Sequence, residues 1–284
     1  YDPVIHREYV YAGSTKDAAP KEPSQLTLKA IRVSGLIKRY LLIKVRDIHR
    51  LANLFYFPII DILLGAIVWL WMERYNPNIT QICADYIMCL IFWIVTNAAQ
   101  YETCFNFLEE FQSHNLLNLF SSTLKHTEWL IASTILCTIE SIMSLTICGT
   151  VAYLAFGINM LTLGRLLPCA LLLFIASGWI MAVITTGLFL KFGQRATFLI
   201  WAIPYLIIPL SAPWYPVAVL PRWAQYIAHC LPTTYLFEGI HKLNFEGNMP
   251  IEYLAISFIL TLVYAILAVL FFDFMFKKSR EKGL

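Results

Sequence analysis

Six long apolar runs, at approximately 54–72, 82–100, 128–156, 166–190, 196–212 and 251–276, alternate with short polar stretches along the 284-residue chain. A helix needs about 20 apolar residues to cross the hydrocarbon core of a bilayer, so each run reads as one membrane span. The pattern predicts an all-α membrane protein in which residues 52–284 form a single domain of six transmembrane helices. The polar stretches are not uniform, and three of them carry a helical period of their own.

Residues 1–25 are rich in Pro, Lys, Asp, Glu, Ser and Thr without a sustained period and read as a flexible polar tail. From 26 to 51 the chain becomes amphipathic, with Val33, Leu36, Ile37, Tyr40, Leu41, Ile48 and Leu51 on one stripe and Arg32, Arg39, Arg46 and Arg50 on another. That is the pattern of an interfacial helix whose basic face rests on anionic lipid headgroups and can also touch a partner. Between the second and third runs, residues of about 109–127 form a polar island with a short amphipathic helix. Phe111, Leu116, Leu119 and Phe120 supply its apolar edge, and Asn115, Asn118, Ser121 and Ser122 supply polar groups elsewhere. Such a helix, held where membrane helices end, is a handle that another protein can push.

The segment 213–248 is longer than a turn needs to be. Pro213, Pro216 and Pro221 break the chain before Trp223, Tyr226, Ile227, Cys230 and Leu231 recur at helical spacing. A second short helix follows Pro232, with Thr233 or Thr234 as its cap and Glu238 in its first turn. These two helices are expected to dip into the outer half of the membrane and pack on the tops of the fifth and sixth spans.

Charge orients the runs. Lys29, Arg32, Lys38, Arg39, Lys44, Arg46 and Arg50 precede the first, Lys191 and Arg195 separate the fourth and fifth, and Lys277, Lys278, Arg280 and Lys282 follow the sixth. By the positive-inside rule these regions and both termini are cytoplasmic, so the island at 109–127 is cytoplasmic too. No signal-peptide pattern precedes Leu26, which fits an unprocessed cytoplasmic N-terminus. The hydrophobic fraction of 59% against 14% charged residues leaves too few charges to cover a soluble globule, and the net charge of +3 gives no reason to expect nucleic acid as a partner.

Candidate chemistry is sparse. None of the 12 glycines is followed by Lys, so the chain carries no P-loop, and ATP with its Mg is expected on another subunit. No catalytic motif appears. The seven cysteines form no C-x-x-C pair, and His229 and His241 have no neighbours at metal spacing, so no metal and no cofactor is expected on this chain. Two acids fall within apolar runs. Glu140, about three turns into the third run, reads either as a polar point on a translocation path or dimer seam, or as a carboxyl bonded to a neighbouring helix. Asp61, just after Pro58, reads as structural. Tyr86, Trp93, Tyr153 and Trp179 lie deep enough to line a path, although lipid contact or packing is the default for them, whereas Trp69, Trp71, Trp129, Trp214 and Trp223 fit an aromatic belt.

Taken together, these residues resemble the permease subunits of type-2 ATP-binding-cassette exporters, the class that handles polysaccharides, teichoic acids and drugs. The likeness covers roughly residues 26–282. It is carried by Glu109-Glu110 with Asn115-Leu-Leu-Asn-Leu-Phe-Ser-Ser-Thr-Leu-Lys-His-Thr-Glu128-Trp129, and by Pro213-Trp-Tyr-Pro216, Leu220-Pro-Arg-Trp223, Leu231-Pro-Thr-Thr-Tyr235 and Glu238-Gly239. Thr123 stands where a Pro is common in that family.

The resemblance implies that 26–51 is a connecting helix with Arg32, Arg39, Arg46 and Arg50 on its basic face. It makes 109–127 a coupling helix that contacts an ATPase subunit through Glu109, Glu110, Asn115, Leu116, Asn118, Leu119, Phe120 and Ser122. The segment 213–248 becomes a pair of re-entrant helices marked by Pro213, Pro216, Trp223, Tyr235 and Glu238. It implies a homodimer in a bacterial cytoplasmic (inner) membrane, two nucleotide-binding subunits, and outward movement of an amphiphilic substrate such as a lipid-linked glycan, a lipid or a hydrophobic drug. Glu140, Tyr86, Trp93 and Trp179 are the candidates for the path or seam. The alternative classes are a stand-alone channel, which works without nucleotide, and a membrane-embedded enzyme, which needs Asp, Glu or His clustered at one membrane face.

Overall fold

The computed structural model describes residues 25–76, 79–112, 126–248 and 250–281. The described residues form α1 (Gln25–Arg46), α2 (Ile48–Leu54), α3 (Tyr56–Tyr75), α4 (Thr80–Gln112), α5 (His126–Phe156), α6 (Leu167–Phe192), α7 (Leu199–Ser211), α8 (Arg222–Ala228), α9 (Pro232–Glu246) and α10 (Ile251–Glu281). Five stretches among them are long and apolar enough to cross a membrane: Arg50–Tyr75, Thr80–Gln112, Thr127–Phe156, Met160–Phe192 and Ile251–Ser279.

The fifth of the six expected runs gives a shorter element. Helix α7 has 13 residues and, at ~1.5 Å per residue, is about 20 Å long against a hydrocarbon core of ~30 Å. Its sequence explains the length. Pro204 and Pro209 lie inside the helix, and Ala212, at a φ of 50°, turns the chain out of it ahead of Pro213.

Helix α4 is the axis of the bundle. Its apolar window is 72% buried, against 28% for the span containing α3 and 22% for α10. It packs on α5 and α6, and α6 packs in turn on α10. The outer helices turn large apolar side chains outward, among them Leu64, Ile67 and Trp71 on α3 and Phe258, Leu262, Ile266 and Phe274 on α10. Exposed apolar faces of this extent need lipid or another chain against them rather than water.

The core has two ends and a waist. At one end Phe92, Phe174 and Phe237 pack with centroid separations of 4.9 Å for both Phe92–Phe174 and Phe174–Phe237, joining α4, α6 and α9. At the other, Phe107, Trp129 and Phe272 meet at 5.3 and 5.9 Å, joining α4, α5 and α10. Between them small residues let the backbones approach: Val95, Ala99, Cys137 and Ile175 fill the waist. Ser141 Oγ there donates to the Val95 carbonyl at 3.1 Å. Gly178 sits where α6 crosses α4, and a Cβ added there would lie 2.1 Å from the Thr96 carbonyl oxygen. Such small-residue crossings are how membrane helices gain close packing without a hydrophobic drive toward one another.

The single interfacial helix expected over 26–51 is two helices, because the chain breaks at Asp47. The island at 109–127 is also divided: Glu109 to Gln112 continue α4, and α5 begins at His126. Asn115, Leu116, Asn118, Leu119, Phe120 and Ser122 lie outside the described residues. The pair of short helices at 213–248 is present as α8 and α9, but neither Thr233 nor Thr234 caps the second. Pro232 occupies its first turn after Leu231, and Thr233 Oγ1 bonds instead to Ser211 Oγ at 2.7 Å, tying α9 to the end of α7. Gly247, at a φ of 73°, closes α9 with its N–H on the Leu243 carbonyl.

The α4–α6 crossing makes a specific demand on Gly178. Gly178→Ala is expected to destabilise the fold by about 1–3 kcal/mol through overpacking, whereas Gly35→Ala, where a Cβ meets nothing within 4 Å, leaves stability unchanged or higher. Thermal unfolding of both variants in detergent tests this, and equal midpoints would contradict it.

Candidate functional site

Helix α1 is fastened to the bundle by charge. Arg32 grips Glu128 at the start of α5 through two parallel bonds, Nε–Oε2 at 3.0 Å and Nη2–Oε1 at 2.6 Å. Arg39 Nη2 reaches Glu110 of α4 at 3.0 Å, and the Tyr40 hydroxyl donates to the same carboxylate at 2.9 Å. Trp129 Nε1 donates to Tyr40 Oη at 3.2 Å, so the phenol links α4 and α5. Deeper in, the Lys44 ammonium lies between Glu102 of α4, at 3.2 Å, and Glu140 of α5. Arg50 of α2 then donates to Asn106 Oδ1 at 2.7 Å and to the Phe105 carbonyl at 3.0 Å, with Glu109 at 3.7 Å.

The register of these pairs fixes how the helices run. Arg32–Glu128 and Lys44–Glu140 are both separated by 96 residues, so α1 lies parallel to α5 and in step with it over twelve residues. Arg39 meets Glu110 while Lys44 meets Glu102, the opposite sense, as an antiparallel neighbour requires. At 33 residues, α4 is about 50 Å long, some 20 Å more than a bilayer core needs. Glu102, Asn106, Glu109 and Glu110 sit on the last turns of that excess, where α1 meets Glu102 and Glu110 and Arg50 of α2 meets Asn106 and Glu109.

Burial sets the chemistry of the ladder. Glu110 and Asn106 are fully buried, and Glu102, Glu128 and Glu140 nearly so. A carboxylate so placed without its cation is strongly unfavourable. Burial pulls the Lys44 ammonium below its ordinary pKa, an effect that Glu102 partly offsets. Burial and then the charge of Glu110 push the Tyr40 phenol far up, so it remains a proton donor.

Beside the ladder lies a groove between α3, α4 and α7. Two adjoining cavities of about 340 and 260 Å³ share Asp61, Ile94, Asn97, Tyr101 and Tyr205. The first continues past Trp93 and Tyr86 to Trp214, and the second passes Trp201 and Phe57 to Asn53. Along α4 the lining runs from Tyr101 to Tyr86, which is about 22 Å at ~1.5 Å per residue. Among the described residues Asp61 is the one acid in the lining, and Asn97 Oδ1 is buried there with no hydrogen-bond partner among them. Groove and ladder share their supports. On α4, Tyr101 lines the groove while the next residue, Glu102, holds Lys44, and on α2 Asn53 lines it one turn after Arg50.

These features belong to a known family, because the family model described as ABC-2 family transporter protein matches residues 50–272. The chain belongs to that family. No curated protein matches the chain. ABC-2 membership makes it a membrane transport subunit rather than an ATPase, of a kind that works with an ABC ATPase subunit. The match begins at Arg50, so α1, with Arg32, Arg39 and Lys44, precedes the matched region while all of the groove's α3, α4 and α7 residues fall inside it.

In this ABC-2 chain the expected site residues separate into groups. Arg32, Arg39 and Arg50 pair with carboxylates of the bundle, and Arg46, alone of the four, is exposed with no ion pair among the described residues. Tyr86 and Trp93 line the groove. Glu140 holds Lys44, and Trp179 packs in the waist, so neither lines it. Pro213 is buried, Trp223 exposed, and Tyr235 donates to the His229 carbonyl at 3.0 Å. Glu238 is half-buried on α9.

Sequence reasoning passed over Asn97, Tyr101 and Tyr205, took Asp61 as structural, and counted Lys44 only among the charges that orient the runs. For Lys44 a signal existed: it continues the buried stripe Leu36, Tyr40 at four-residue spacing, and a Lys on such a stripe needs an acid opposite.

Lys44→Met leaves Glu102 and Glu140 buried without their shared cation. The expected cost is about 3–5 kcal/mol, seen as a lower unfolding temperature in detergent. Adding Glu102→Gln and Glu140→Gln restores most of it. A Lys44→Met chain as stable as the parent would show that the ladder carries no weight.

Proposed function

We propose that the chain is the permease of an ATP-driven exporter and that an amphiphilic substrate moves outward along the α3/α4/α7 groove. The observation that carries the reading is that groove: a long aromatic trough with one carboxylate, anchored on the same helices as the ladder, in an ABC-2 chain. Aromatic faces and a single acid accommodate an apolar body with a polar or charged head, whether a lipid-linked glycan, a lipid or a hydrophobic drug.

In this reading α7 with its flanking turns is the fifth of six spans and α10 the sixth, the basic end of the bundle and both termini are cytoplasmic by the positive-inside rule, and α8 and α9 are the outer re-entrant pair. Two copies pair across the exposed face of the groove in a bacterial cytoplasmic membrane. Each copy rests on a separate ATPase subunit that binds ATP and Mg. Residues 113–125, with Asn115, Leu116, Asn118, Leu119, Phe120 and Ser122, form the docking element beside Glu109 and Glu110. When ATP closes the ATPase pair, the ends of α4 and α5 move, the ladder carries α1 and α2 with them, and Tyr101 and Asn53 shift the groove walls.

Two variants separate docking from passage. Leu119→Asp with Phe120→Asp is expected to abolish co-purification with the ABC ATPase that the unmodified chain retains. Asp61→Asn is expected to keep the ATPase bound while changing its stimulation by amphiphiles several-fold. Undiminished co-purification of the first variant would refute the docking role, and unchanged stimulation in the second would remove Asp61 from the path.

A further inference from the structure

At the end of the bundle away from α1, three unlike side chains converge on one point. Asp85 and Cys89 stand one helical turn apart on α4, and His241 reaches them from α9. One ligand atom of each lies within 4.8 Å of the others. His241 Nδ1 is 2.5 Å from Asp85 Oδ2 and 4.0 Å from Cys89 Sγ. Cys89 is fully buried and Asp85 nearly so. Neither the groove nor the ladder uses any of them.

We propose that Asp85, Cys89 and His241 bind one divalent transition-metal ion of the zinc class per chain, clamping α9 to α4. Carboxylate oxygen, thiolate sulfur and imidazole nitrogen are the donors such an ion takes, and a thiolate with an imidazole disfavours Mg or Ca. An ion bonded at ~2.0–2.3 Å to tetrahedral ligands holds them about 3.3–3.8 Å apart. It therefore opens the Asp85–His241 contact and binds Cys89 as the thiolate, and the thiol proton and the proton between Asp85 and His241 Nδ1 are released to solvent.

The surroundings already orient each ligand. Asn244 Nδ2 donates to the second carboxylate oxygen, Asp85 Oδ1, at 2.6 Å. His241 Nε2 faces the Ala212 carbonyl at 3.4 Å, which assigns the ring proton to that nitrogen and leaves Nδ1 toward Asp85 and Cys89. Ala212 is the residue at positive φ, so the turn that ends α7 also aims this carbonyl. Holding a ligating histidine by its second nitrogen, and a ligating carboxylate by its second oxygen, is how metal sites fix their geometry.

The sequence hid the site because Asp85 and Cys89 resemble no ligand motif by themselves, and His241 is 152 residues from Cys89.

The test is a Co²⁺ titration of the full-length chain, stripped with chelator and held in nanodiscs. One equivalent is expected to bind, with a sulfur-to-cobalt charge-transfer band in the near ultraviolet and visible bands of tetrahedral strength, both erased by Zn²⁺. Cys89→Ser removes the charge-transfer band, and Asn244→Ala weakens binding by about 10- to 100-fold. The absence of a saturable band in the unmodified chain overturns the proposal whatever the variants do, and so does a band that persists unchanged in Cys89→Ser.

Discussion

Carboxylates on helices long enough to span a bilayer must have a cation beside them or lose their charge, and this chain places three on α4 and two on α5 near one end of the bundle. The cations come from α1 and α2. Because Lys44 serves Glu102 and Glu140 together, it joins three helices at one atom. The parallel register of α1 with α5 follows from these contacts, as does the position of α2, from which α3 starts toward the groove. Apolar packing of Leu36, Phe107, Trp129 and Phe272 holds the same region together without direction. The ion pairs supply the direction, since a slip of α1 by one turn would strand Glu102, Glu110, Glu128 and Glu140 at once.

This arrangement gives an account of coupling in physical terms. A movement imposed on the ends of α4 and α5 has no loose joint in which to dissipate before it reaches Glu102 and Glu140. The residue after Tyr101 is a ladder residue, and Asn53 follows Arg50 by three positions. In the proposed cycle the groove wall shifts with the ladder. Farther along, the bundle narrows to the small-residue waist at Gly178 and then widens into the aromatic cluster that holds α9. In the proposed dimer the α3/α4/α7 face is the side where two copies meet, while α10 turns its large apolar side chains outward elsewhere.

Much of this was legible in the chain. The apolar runs gave the long helices, the prolines marked α8 and α9, and the amphipathic stretch before the first run gave α1. What the runs could not convey is length in three dimensions: the run at 196–212 is apolar enough for a span, yet Pro204, Pro209 and the turn at Ala212 cut its helix to α7. Nor could spacing reveal partners. Arg32 and Arg39 read as a basic face for headgroups because their acids lie 96 and 71 residues away. Glu140 read as a path or seam point as readily as a bonded carboxyl, and Asp61 read as structural. Glu140 turned inward to a lysine, and Asp61, next to Pro58, opened onto both cavities. Long-range pairing decides such cases, and hydropathy along the chain carries no record of it.

The central claim is that α1 moves as one body with α4 and α5 while the groove face changes. Pulsed electron–electron distance measurement between spin labels at Lys38→Cys on α1 and Thr127→Cys on α5, both exposed positions, tests it most directly in the complex with its ATPase. The account predicts the same narrow distance distribution with and without trapped nucleotide, alongside a shifted distribution for labels at Leu64→Cys in two paired copies. A Lys38–Thr127 distribution that moves or broadens on nucleotide trapping would contradict it.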